Sequence, residues 1–176
     1  MSQILRLRGS NALSAFRSSR LLSSLRSSVS RVAAVHAEFW HFVELARALS
    51  DAEAGRLDRI LTYGPAGSAG AAGGELMLVV PRLGTISPWS SKATDIAHRC
   101  GLEAVRRIER GVAYFIATAN GPALSGGERA ALRLLIHDRM TETVLASFDE
   151  AGRLFEHYAP TPLATVDILN GGIAAL

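Results

Sequence analysis

The strongest constraint on the fold is where the chain starts its helices. Ser50-Asp51-Ala52-Glu53 and Ser125-Gly126-Gly127-Glu128 are capping boxes, one in each half of the sequence. In such a box the serine hydroxyl accepts the N–H three residues on, and the glutamate reaches back to the serine N–H. Each box follows a run rich in β-branched and aromatic residues, the composition of a strand. Those runs are 32–45, where His36, Glu38, Trp40, Phe42 and Glu44 share one parity, and 103–118, strongest over Val112 to Ile116. After the first box, Ala54, Leu57, Ile60 and Leu61 form an apolar stripe that Gly64-Pro65 ends, and the second box opens a helix to about Ile136.

Other elements fit between these. Ile4, Leu5 and Leu7 alternate with Arg6 and Arg8 as a short strand, and Gly9-Ser10-Asn11 reads as a turn and helix cap. Ala15, Leu22, Leu25 and Val29 then recur at helical spacing. Leu76 to Val80 is a compact strand closed by Pro81. The segment 90–101 reads as a helix capped by Ser90 or Ser91, with Ala93, Ile96, Ala97 and Cys100 on one face and Gly101 at its C-terminal stop. Periodicity leaves 138–146 open between helix and strand, 147–158 reads as helix, and Pro160-Thr161-Pro162 marks a boundary. Strands and helices therefore alternate, giving an α+β fold. The two halves, roughly 1–63 and 75–146, read as a duplicated unit whose strands share a sheet and whose helices cover it.

Composition removes several function classes. Of the 176 residues 48% are hydrophobic, which excludes a wholly disordered chain. No apolar run approaches the ~18 residues of a membrane helix. The single cysteine excludes an intramolecular disulfide and a zinc site built on several cysteines. None of His36, His41, His98, His137 and His157 forms a spaced metal pair. The glycine-rich run 64–74 lacks the Gly-Lys-Ser/Thr ending of a phosphate-binding loop and reads as a length-tolerant surface loop.

Basic charge is concentrated at one end. Residues 1–31 hold six arginines and ten serines with no acid, whereas the rest has thirteen basic groups against sixteen acidic. Such a segment fits an organellar transit peptide, a nucleic-acid-binding arm, or a strand and helix with a solvated outer face. Phe16 is the one aromatic among these arginines, too few for base stacking.

The densest chemistry lies in 81–95, Pro-Arg-Leu-Gly-Thr-Ile-Ser-Pro-Trp-Ser-Ser-Lys-Ala-Thr-Asp. It joins a buried strand to a helix and carries Lys92, the only lysine. A helix start at Ser90 or Ser91 with Lys92 in its first turn suits an anion or a partner's carboxylate, and equally an ordinary cap with a solvated lysine.

This segment, through His98, closely resembles the N-terminal signature of the large single-chain phosphoribosylformylglycinamidine synthases, glutamine-dependent amidotransferases of purine biosynthesis. Further matching segments span the chain: Leu7-Arg8-Gly9-Ser10 with Ala12-Leu13-Ser14, Ala37-Glu38 to Phe42, Tyr63-Gly64-Pro65, Glu109-Arg110-Gly111-Val112-Ala113-Tyr114, His137-Asp138-Arg139-Met140-Thr141-Glu142, and Pro160-Thr161-Pro162. The resemblance implies a cytoplasmic enzyme that converts formylglycinamide ribonucleotide, glutamine and ATP to the amidine, glutamate, ADP and phosphate. ATP and Mg²⁺ would belong to other domains of the full enzyme, with no cofactor and no catalytic or metal residue here.

On this reading, residues 1–146 are an N-terminal domain like a fused pair of the small separate subunit of multi-component versions. Residues 147–176 are the start of a truncated helical linker exposing Leu163, Val166, Ile168 and Leu169. A strand at 138–146 would close the second repeat, and the basic N-terminus would be part of the domain, not a removable extension. The domain's partners are the synthetase and glutaminase parts of the same polypeptide, with no nucleic acid and no membrane, and alone it should not catalyse. Cys100 reads as a small core residue, not as the glutaminase nucleophile.

The expected interface comprises Arg82, Gly84, Thr85, Ser87, Trp89, Ser90, Ser91, Lys92, Thr94 and Asp95, with Glu109, Arg110 and Arg139 as secondary members. Lys92 and Arg82 would position carboxylates or phosphate, and Trp89 would anchor the contact as an aromatic hot spot. Two other classes compete: a stand-alone duplicated α+β interaction or regulatory module binding a small anion at the Ser90/Ser91 helix start, and a nucleic-acid binder led by the arginine helix.

Overall fold

Both capping boxes form. In the computed structural model, which describes residues 3–64, 73–119, 123–156 and 161–175, the Ser50 and Ser125 hydroxyls accept the N–H of Glu53 and Glu128, and both carboxylates return to the serine N–H. The elements are β1 (Gln3–Asn11), α1 (Ala15–Ser28), β2 (Val32–Leu45), α2 (Asp51–Leu61), β3 (Glu75–Pro81), α3 (Pro88–Arg99), β4 (Val105–Thr118), α4 (Gly126–Ile136) and β5 (Glu142–Leu145). A 3-10 helix, Asp149–Phe155, follows, and a last turn of helix, α5 (Ile168–Gly171), lies near the end. The fold is α+β, as the alternation predicts.

The strands make one sheet in the order β1-β2-β4-β3-β5, with every neighbouring pair antiparallel. Side chains alternate across a strand, so the faces follow from parity. Odd residues of β2 and even residues of β4 meet the helices. At one end of this face Leu25, Val29, Leu132 and Ile136 of the α1 and α4 regions pack on Met77, Val79 and Ile116. At the other end Leu57, Leu61, Ala93 and Ala97 of α2 and α3 pack on Val43, Leu45 and Ile108. On the opposite face Ala151 and Leu154 of the 3-10 helix cover Phe42, Leu78, Val80 and Ala113.

Several local expectations are corrected. Gly9, Ser10 and Asn11 are not a turn: β1 runs through them with a register shift between Arg8 and Asn11, and the α1 cap is Ser14, which accepts the Arg17 N–H. Gly9 is needed there because a Cβ would sit 2.8 Å from His41 Cε1. Ala54 is exposed; Glu53 is buried in its stead, taking two hydrogen bonds from Arg47. Helix α3 starts earlier than expected, with Ser87 as its cap and Pro88 in its first turn. It also ends at Arg99, so Cys100 turns outward and is exposed instead of filling the core. Of residues 138–146, left open between helix and strand, Glu142–Leu145 form strand β5 and the residues before them a turn. The helix expected over 147–158 is a 3-10 helix confined to Asp149–Phe155. Residues 65–72 of the glycine-rich run and His157 lie outside the described residues.

The basic N-terminus is tied into the domain. Arg6 pairs with Asp149 and Arg31 with Glu128, each at 2.7 Å, while Arg26 donates to the carbonyls of Val32 and Ala33. Arg8 reaches Glu38, which also accepts from the Trp40 indole and meets His36. Burial alone would raise the Glu38 carboxyl, but the Arg8, Trp40 and His36 contacts outweigh it and hold the group below its ordinary range. Among the described residues, no helix is long and apolar enough to cross a membrane.

Candidate functional site

The 81–95 segment forms a tight turn between β3 and α3. Gly84 takes φ +78, a left-handed conformation that L side chains rarely adopt. Thr85 donates through both its N–H and its hydroxyl to the Arg82 carbonyl, the hydroxyl at 2.6 Å. The Arg82 N–H donates to the Thr141 carbonyl at 2.9 Å, fastening the turn to the strand edge beside β5.

Glu109 holds the turn from behind. This carboxylate is fully buried, on the sheet face away from the main helices. It accepts the Ser87 hydroxyl at 2.9 Å and the Ser87 N–H at 3.4 Å. Arg107 forms an ion pair with it, donates to the Thr85 carbonyl at 2.6 Å, and lies 5.5 Å over the Phe155 ring. The same Ser87 oxygen accepts the Ser90 N–H at 3.0 Å. One internal anion thus serves the N-terminus of α3, where positive dipole and free N–H groups collect. Farther along α3, Thr94 accepts the Ile108 N–H at 3.0 Å and Asp95 pairs with Arg99.

On the helix-covered face a second group assembles from β2, α3, β4 and the segment just after α2. Arg110 of β4 lies between two aromatic rings, 4.3 Å from the Phe39 centroid and 4.7 Å from that of Trp89. Each such cation–ring contact contributes about 0.5–2 kcal/mol, more when desolvated. Arg110 donates to the Tyr63 hydroxyl at 3.1 Å, and that oxygen is 2.8 Å from His41 Nε2. An arginine can only donate, so Tyr63 accepts from it, and the same hydroxyl shares a hydrogen bond with His41. Burial first, and the Arg110 charge second, push the His41 pKa down to about 4, with the Leu7 backbone acting in the opposite sense. His41 also stacks on Trp89 at 5.7 Å.

The expected interface residues therefore divide by role. Ser87, Ser90, Thr94 and Glu109 face inward and fix the turn; Ser90 is fully buried and its hydroxyl finds no partner among the described residues. Arg82, Gly84, Thr85, Ser91, Lys92 and Arg139 are exposed, and Asp95 is half-buried. Trp89 packs inward against Arg110 and His41. An open groove of about 460 Å³ runs between Arg82, Thr85 and Ile86 on one side and Met140, Thr141 and Glu142 on the other. Ile86 is 62% and Met140 75% exposed, apolar side chains with nothing to cover them.

Sequence reasoning passed over Ile86, Met140, Arg107, Phe39 and the pairing of His41 with Tyr63. The parity of β2 was the available signal for Phe39 and His41, since both lie opposite Trp40 and Phe42 in side-chain direction.

These features define an α+β domain with a rigid, exposed turn whose charged and hydroxyl groups are braced from beneath. Among the described residues no group of three His, Cys, Asp or Glu could hold a metal ion. The model of the family described as formylglycinamide ribonucleotide amidotransferase N-terminal matches residues 38–155, and the chain belongs to that family.

Proposed function

We propose that this chain is the N-terminal part of a phosphoribosylformylglycinamidine synthase, a cytoplasmic ATP-dependent ligase of purine biosynthesis, and that it couples glutamine hydrolysis to amidine formation elsewhere in the enzyme. Family membership supports the assignment to that enzyme. The observation that carries the coupling role is the turn at 82–87. It is fixed from behind by the Ser87–Glu109–Arg107 network, yet presents Arg82, Thr85 and the uncovered Ile86 outward. Such rigidity with exposure lowers the ordering cost of docking another domain. The chain itself supplies no catalytic group. On this reading ATP and Mg²⁺ would be held by other domains of the enzyme.

The strand order supports the duplicated architecture. β1 and β3 flank the central pair β2 and β4, α1 packs with α4, and α2 packs with α3. A two-fold relation between the halves would produce these pairings, with β5 added beside β3 and no counterpart beside β1. The alternative of an anion-binding module at the α3 start is less favoured, because Glu109 already occupies that position. The test is the double variant Ile86→Ser/Lys92→Ala in the complete enzyme, assayed with glutamine and with ammonia. Loss confined to the glutamine reaction supports coupling; equal, wild-type rates with both overturn it.

A further inference from the structure

Arg110 is a charged group with its faces covered and its edge open. Phe39 and Trp89 sandwich the guanidinium plane at 4.3 and 4.7 Å, and a single N–H goes to Tyr63. Among the described residues no carboxylate pairs with it. Its remaining nitrogens are not sealed from solvent: the buried polar atoms that lack partners are those of Asn11, His41, Arg56, Ser90 and Arg133. Stacking uses the two faces of a guanidinium and leaves its in-plane donors, which match a carboxylate two at a time.

The surroundings narrow the ligand. Tyr63 and Trp89, both touching Arg110, also line a groove of about 240 Å³ with Ile60, Leu61, Ala93 and Ile96. Ile96 is 39% exposed there, and Lys92 stands at the same groove, also without an acidic partner among the described residues. One unpaired cation on an apolar trough, and another behind its Tyr63 and Trp89 walls, match an acidic side chain next to an apolar one. A free phosphate carries no apolar group to fill the trough, whereas an acidic side chain in a peptide can have an apolar neighbour that does.

We propose that the open edge of Arg110 receives an Asp or Glu carboxylate from a partner protein segment whose neighbouring apolar side chain fills the groove between α2 and α3, where Lys92 supplies a second positive charge. This rests on the docking role proposed above and gives it a chemical partner.

The experiment uses the ¹⁵N-labelled 176-residue chain. NMR would follow Arg110 Nε–H and the Trp89 indole N–H during titration with acetyl-Leu-Glu-Leu-amide, with its Gln counterpart, and with inorganic phosphate, each to about 10 mM. The expected result is saturable movement of both signals with the Glu peptide and binding about tenfold weaker with the Gln peptide. Arg110→Lys keeps the charge but not the planar fork and should weaken Glu-peptide binding about fivefold. No movement, equal response to both peptides, or undiminished binding by Arg110→Lys overturns the proposal. Phosphate acting as well as the Glu peptide also overturns it, since the site would then take a free anion. Any of these failures leaves the glutamine-against-ammonia test at Ile86 and Lys92 to stand or fall separately.

Discussion

His41 and Arg110 stand directly opposite each other across β2 and β4, and the hydroxyl of Tyr63 joins them. A half-buried cation and a buried neutral imidazole thus lie side by side, which makes the fold sensitive to protonation of the imidazole. The His41 pKa is pushed down to about 4 from its ordinary 6.5. Between those values the unfolded chain binds a proton that the folded chain does not, so stability rises with pH. The contribution is fully present above 6.5 and is lost as pH falls toward 4. Urea unfolding at pH 7 and pH 5 should differ by about 2 kcal/mol from this group. In His41→Asn the pH 7 to pH 5 loss should shrink by that amount; an unchanged loss would refute the assignment.

Ser87 caps α3 and hydrogen-bonds Glu109 at the same time. Ser87→Ala should lose both the cap and one partner of a buried carboxylate, a cost of about 2–4 kcal/mol. Chemical denaturation measures it, and a loss near zero would mean the turn is not braced through this serine.

Two glycines should respond in opposite directions to alanine. A Cβ at Gly111 would lie 2.8 Å from the Val79 carbonyl oxygen, a backbone atom with no room to retreat, and 3.3 Å from Phe42. Gly111→Ala should destabilise by about 1–3 kcal/mol. Gly55 is inside α2 with nothing within 4 Å of such an atom. Gly55→Ala should stabilise by about 0.5–1 kcal/mol through helix propensity. Thermal unfolding of both variants checks the pair.

Cys100 is exposed just past the last residue of α3. It should react with a thiol reagent in the folded chain without denaturant, and Cys100→Ser should change stability by less than about 0.5 kcal/mol. Protection of the thiol until unfolding would contradict the helix end at Arg99.

Elements governed by neighbours in sequence were readable: both capping boxes, the β2 parity and the element order are local patterns. The start of α3 was not, although Pro88 after Ser87 is a known start signal, because Glu109 fixes the choice of cap from another strand. Cys100 misled for a related reason. Its spacing continues the Ala93–Ala97 stripe, but the helix stops before it. The sheet order and the Arg110 sandwich depend on long-range pairing, drawing Phe39, Tyr63, Trp89 and Arg110 from separate segments. Periodicity reports the face a residue occupies, not which distant residue meets it there.

The coupling role is tested most directly by counting glutamate released per amidine formed in the complete enzyme carrying Ile86→Ser/Lys92→Ala. If the braced turn holds the domains in register, glutamate should exceed amidine by several-fold while the ammonia-dependent rate stays within about twofold of wild type. One glutamate per amidine, at the wild-type glutamine rate, would contradict it.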